Sequence, residues 1–194
     1  MAATVIRRAV YLGAVITGVM SLGATGASPR AIPSAYERAA ADAQVPASLL
    51  FAVALQESGM RLHGRLVPWP WTLNIAGQPA RFATRHQACT ALRSALSHSQ
   101  RPVDVGLAQI NAQFHRHRVR TPCELLDPYR NLTIAASILR EQYRAGEPWS
   151  LAVGRYHRPA GGDQALRYRR GVERHLTSLV GTTLASATMG RAAP

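Results

Sequence analysis

The stretch ASLLFAVALQESGM, residues 47–60, decides how the rest of the chain is read. Taken as a helix it is apolar for most of its length. Leu50, Ala54 and Glu57 follow the i, i+4, i+7 spacing of one face, with Leu49 and Val53 beside them. A carboxylate therefore shares a stripe with core residues in the last turn. Pro46 suits the first helical turn, where its missing N–H would be unpaired anyway, and Gly59 is placed to stop the helix in a left-handed conformation. Unpaired carbonyls at a helix C-terminus repel a carboxylate, and apolar neighbours penalise its charge. Both effects favour the neutral acid near pH 7, which is the condition a general acid needs. The competing reading turns Glu57 outward to pair with an arginine.

Working outward, SAYERAAADA (Ser34 to Ala43) has helical composition with Pro33 and Ser34 as start signals. WTLNIAGQPARFA (71–83) predicts a short β-hairpin turning at Ala76, Gly77 and Gln78, its second strand confined to an edge by Pro79. A helix follows from Thr84 to His98, then a turn leading into a short helix over Val103 to Asn111. CELLDP is a helical turn closed by Pro128, and the segment from Pro128 is a strong helix carrying Ile134, Ile138 and Leu139, ended by Gly146 and Pro148. PWSLAVGRYHRP (148–159) is a short apolar helix, and a last helix begins near Asp163. The expected class is mainly α with one small β-hairpin, its helices packed around a shared core with clefts between them.

The chain has 194 residues, enough for one domain with a genuine core. Arg7 and Arg8, the apolar run from Ala9 to Leu22 and the small residues of GATGAS predict a secretory signal peptide over residues 1–27. A membrane anchor, the alternative, needs about 20 apolar residues, so no stable anchor is expected after processing. Residues 28–180 form the domain, and 181–194 a flexible C-terminal tail. Export places the protein in the periplasm. Cys89 and Cys123, 34 positions apart, are there expected to form one disulfide, against the alternative of two buried free thiols. Neither CxxC nor HExxH occurs and the histidines are scattered, so no metal and no cofactor are expected.

All 23 basic side chains are arginine, and the formal net charge is +13. Such a surface is drawn to polyanions in general. RYRRGVERH suggests a nucleic-acid binder, but export argues against that partner, and a solvated basic helix explains the run. No heptad pattern marks an assembly, leaving a monomer as the default.

Three segments occur in order: Glu57-Ser58 behind the apolar helix, Gly106-Leu107-Ala108-Gln109-Ile110-Asn111, and Ala152-Val153-Gly154-Arg155-Tyr156-His157. Together they resemble the Glu-Ser, Gly-Leu-Met-Gln and Ala-x-x-Tyr-Asn motifs of the soluble-type lytic transglycosylase domain, a lysozyme-like fold. The resemblance covers roughly Ser34 to Pro159. It implies cleavage of the β-1,4 bond between N-acetylmuramic acid and N-acetylglucosamine in peptidoglycan, with Glu57 as acid and then base and no water consumed.

By the same resemblance Ser58, Gln109, Asn111, Tyr156 and His157 contact substrate or orient Glu57. Without it, Ser58 reads as a helix-end hydroxyl bonded to backbone, Gln109 as a solvated surface side chain and Tyr156 as a core tyrosine. Ala108 and His157 depart from the motifs, leaving sugar selectivity and pH response open. Hydrolysis of the usual kind needs a second carboxylate, for which Asp104 and Asp127 are the candidates, Asp127 reading more easily as a turn or cap residue. The 47 residues between the first two motifs exceed those of compact members and resemble the insertion in transglycosylases associated with conjugation and secretion apparatus. Within it Trp69 and Trp71 either offer flat faces to sugar rings or staple the hairpin to the core. A catalytically idle wall-binding or assembly subunit, and a muramidase, are the competing functions.

Overall fold

The computed structural model describes residues 31–98 and 102–180. The expected leader and C-terminal tail lie outside the described residues. Six α-helices and six short strands make up the described fold: α1 (Ser34–Asp42), α2 (Ala47–Ser58), β1 (Gly59–Leu62), β2 (Arg65–Pro68), β3 (Thr72–Ile75), β4 (Gln78–Arg81), α3 (Arg85–His98), β5 (Val103–Val105), β6 (Ile110–Asn111), α4 (Pro128–Gln142), α5 (Trp149–His157) and α6 (Gly162–Val180). The architecture is mainly helical with small antiparallel sheets, as expected.

The quoted stretch forms α2, the central helix. Leu49 through Leu55 are all buried, because α1, α4, α6 and β2 surround it. Burying a large aliphatic side chain of this kind stabilises by about 1.5–3 kcal/mol. Pro46 occupies the N-cap itself. At the other end Gly59 does not adopt the left-handed conformation expected of it: its φ is −55°, and the chain passes straight from helix into β1. Glycine is required for a different reason, since a Cβ there would collide with the carbonyl oxygen of Leu55.

β1 and β2 form a hairpin absent from the sequence reading, with His63 and Gly64 both at positive φ in its two-residue turn. The expected hairpin is present as β3 and β4. Ala76 and Gly77 take positive φ, and Pro79 lies on the edge strand of a four-stranded sheet ordered β4-β3-β5-β6. Residues 103–111 are not a turn leading into a helix. Val103–Val105 pairs antiparallel with β3, the chain turns through Gly106 to Gln109, and Ile110–Asn111 returns as β6. The alternation Val-Asp-Val decides this once β3 is available as a partner, because Val103 and Val105 then face the core together with Leu73.

Cys89 on α3 and Cys123 in the 3₁₀ turn Pro122–Leu126 form the expected disulfide, with Cα atoms 5.3 Å apart. Asp127 caps α4 by accepting a hydrogen bond from the Arg130 N–H at 2.9 Å, the cap role its sequence context suggested. α4 stops at Gln142, four residues before Gly146, as Tyr143 turns to extended backbone and stacks on Trp149 with ring centroids 4.2 Å apart. α6 buries Ala165, Tyr168, Val172, Leu176 and Leu179 along one stripe.

Asn131, fully inside α4's core face, holds the 106–109 turn in place. Its Nδ2 donates to the carbonyls of Val105 (2.9 Å) and Leu125 (2.8 Å), and its Oδ1 accepts from the Ala108 N–H (2.9 Å). Gly106, at φ 85°, leaves room for this amide, which any Cβ there would strike. Replacing Asn131 by Ala removes three buried hydrogen bonds around this turn and is expected to cost about 3 kcal/mol of stability, read as a lowered midpoint in urea unfolding.

Candidate active site

Glu57 sits in the last turn of α2 at the wall of a cleft of about 440 Å³. The cleft is bounded by the face of the β4-β3-β5-β6 sheet, by the turn before β6 and by α5. Glu57 does not reach out to an arginine: its Oε1 accepts a 2.6 Å hydrogen bond from the phenol of Tyr168 on α6. Burial is the largest influence on this carboxyl and Asp104's charge adds to it, while the Tyr168 hydrogen bond opposes them. The result is a pKa pushed up from 4.5 to about 7. The direction is the one expected from the sequence, and burial, its largest cause, is one of the two effects expected there.

Tyr168 was not among the sequence candidates. The available signal was its place on the apolar stripe of α6, which by itself marks a core tyrosine. Its ring is stacked face to face with the imidazole of His157, 4.3 Å between centroids and 2° between planes. His157 thus braces the tyrosine that holds Glu57, a role to which a flat ring is suited. Burial holds the His157 imidazole below its usual range, with Asp104 opposing. Burial and the charge of Glu57 push both Tyr156 and Tyr168 well above the ordinary phenol range, so both remain neutral donors.

Tyr156 lines the cleft but donates its hydroxyl to the Ala108 carbonyl at 2.7 Å and not to Glu57. Gln109 also lines it, at φ 47°. Its Nε2 is committed to the carbonyls of Gly106 (2.9 Å) and Thr72 (3.2 Å), which leaves the amide oxygen for a ligand. Asn111 donates from Nδ2 to Asp104 Oδ1 at 2.9 Å and accepts from the Phe114 N–H at 2.9 Å. Asp104 and Asn74, on adjacent strands, complete the cleft wall.

Two residues expected at the substrate are elsewhere. Ser58 is fully buried, its hydroxyl 2.7 Å from the Leu107 carbonyl and 3.1 Å from that of Ala54. It fastens the Glu57 turn to the 106–109 turn and does not line the cleft, since the stripe it occupies faces the core. Trp71 packs partly buried against the core, edge to face with Trp69 at 5.7 Å, while the Trp69 indole donates to Phe82 O at 2.8 Å. Stapling is therefore the observed arrangement of this pair. The disulfide cysteines lie away from the cleft.

Residues 86–176 match the family model described as the Transglycosylase SLT domain. The match covers 91 of the 194 residues, and over that span the chain is similar to the family. Its matched span contains Asp104, Gln109, Asn111, Tyr156, His157 and Tyr168, and begins after α2. Glu57 and Ser58 join it through space, by the Tyr168 and Leu107 hydrogen bonds. No curated protein and no solved structure matched the chain.

A carboxyl whose pKa rises on folding stabilises the native state below its unfolded value of 4.5, and that contribution is lost as pH rises through about 7. Glu57→Gln removes the penalty. The variant is expected to become more stable than the parent as pH increases from 4.5 to 8, by up to about 3 kcal/mol, in paired urea titrations across that range. Tyr168→Phe deletes the hydrogen bond that favours the ionised form, so the Glu57 carboxyl should titrate at higher pH, as followed by the chemical shift of a ¹³C-labelled glutamate.

Proposed function

We propose that this protein is an exported lytic transglycosylase of peptidoglycan. The observation that carries the reading is the Glu57 carboxyl, poised near neutrality in a cleft and oriented by the Tyr168 phenol. Glu57 donates its proton to the oxygen leaving between N-acetylmuramic acid and N-acetylglucosamine. Now ionised, it takes the proton of the muramic acid C6 hydroxyl as that oxygen closes on C1, leaving a 1,6-anhydro end. One group serves as acid and then base, which suits a pKa close to the working pH. The Gln109 amide oxygen is available to an N–H or hydroxyl of the sugar.

The disulfide supports export to an oxidising compartment such as the periplasm, consistent with the leader reading of residues 1–27. The long segment between the first two motifs, which folds as the β1–β2 and β3–β4 hairpins followed by α3, supports work beside a conjugation or secretion apparatus.

Digestion of purified peptidoglycan followed by mass spectrometry tests the reading. Anhydro-muropeptides are expected from the native protein, and Glu57→Gln should release them at least roughly 100-fold more slowly. Reducing ends, heavier by one water, would make the protein a muramidase. Glycan binding without release of either product would make it an idle binding subunit.

A further inference from the structure

The sheet wall of the cleft carries a feature that the acid–base cycle of Glu57 does not use. Asn74, Asp104 and Asn111 are direct cross-strand partners on β3, β5 and β6, and all three line the cleft. Their neighbours in the same register, Leu73, Val105 and Ile110, face the core. The carboxylate is thus the centre of a polar row, flanked on each side by an amide. Asn111 donates to Asp104 Oδ1 at 2.9 Å, and Asn74 approaches Oδ2 at 3.5 Å. The Phe114 N–H, bonded to Asn111 Oδ1, fixes which way that amide points and so directs its NH₂ group at the carboxylate.

The strands are already joined by their backbone ladder, and burying a charge for that purpose alone is costly. Neutral amides, not arginines, hold Asp104, so its charge is oriented without being neutralised. Asn74 also keeps a buried Oδ1 with no hydrogen-bond partner.

We infer that Asp104 is a second catalytic carboxylate of this cleft, held by Asn74 and Asn111 beside the sugar ring whose glycosidic bond Glu57 protonates, where it stabilises the positive charge developing on that ring. The inference rests on the glycan-cleaving reading above. When the C1–O bond breaks, its electron pair and the Glu57 proton go to the leaving oxygen. The charge left on C1 and the ring oxygen faces the Asp104 anion, with no bond formed to it. The C6 hydroxyl oxygen then bonds to C1 and returns a proton to Glu57, so atoms balance without water. Asn74 and Asn111 are positioning residues for the anion.

Electrostatics agree with this division of labour. Asp104 raises Glu57, keeping the acid protonated opposite an anion. Burial raises Asp104 from its usual range, opposed by the Asn111 hydrogen bond and by His157. The other titratable or charged groups at the cleft are Tyr156 on α5, Arg81 on β4 and His115 beyond β6.

Native protein, Asp104→Asn and Asn111→Ala are compared on purified peptidoglycan, with kcat, KM and pH profile measured for each and folding verified by circular dichroism. Asp104→Asn, nearly isosteric, is expected to lose roughly 100-fold in kcat with little change in KM. Its residual activity should have the basic limb shifted to lower pH, because Glu57 is no longer raised by a neighbouring anion. Asn111→Ala should fold, keep partial activity and show its acidic limb shifted to higher pH, a readout that stands even if Asp104→Asn does not fold. A native rate in Asp104→Asn, or a rise in KM alone, overturns the inference while leaving Glu57's role intact. Activity lost in both variants with neither limb of the profile moved also overturns it. If the native protein releases no glycan product, the glycan-cleaving reading and this inference fall together.

Discussion

A helix buried on every side has only its ends at which to present a polar group, and α2 does so with Glu57. Packing on α1, α4, α6 and β2 fixes the helix as a rigid post, and the Tyr168 phenol holds the carboxyl at its foot. The same packing removes water from around the carboxyl, and that loss of hydration is what moves its proton affinity towards neutrality. Stability and chemistry are opposed at this point. The fold tolerates a poorly solvated acid because the surrounding apolar contacts are numerous.

The turn from Gly106 to Gln109 is the second fixed point. Asn131 holds it from α4, Ser58 from the end of α2, and Tyr156 from α5, each through a backbone carbonyl or N–H of the turn or its flanking strand. Three helices thereby agree on the position of one short loop. Side chains first read as groups for the sugar, Ser58 and the Tyr156 hydroxyl, are spent on this framework. Glu57, Gln109 and the polar row on the sheet line the cleft.

Much of this was legible in the residues. The helix over 47–58, the Ala76-Gly77 hairpin with its proline edge, the disulfide and the order of the three motifs are all local or compositional signals. The strands at 103–111 were not, because three residues of alternating pattern become a strand only when β3 lies alongside. The β1–β2 hairpin escaped for a similar reason: His63-Gly64 is a weak turn signal, and its strands are four residues each. Tyr168 escaped because a tyrosine on an apolar stripe looks the same whether its hydroxyl meets a carboxylate or a carbonyl.

The amino-acid sequence alone determined that a lone acid would end an apolar helix and that the segments able to surround it follow in a given order. Periodicity and turn chemistry act over a few residues and need no partner. Which groups meet that acid was decided only by tertiary structure. Tyr168 lies 111 positions away from Glu57, and Asp104 becomes the centre of an amide-flanked row only when three strands come into register. Proximity between such distant residues is a property of how the core closes, and no local pattern encodes it.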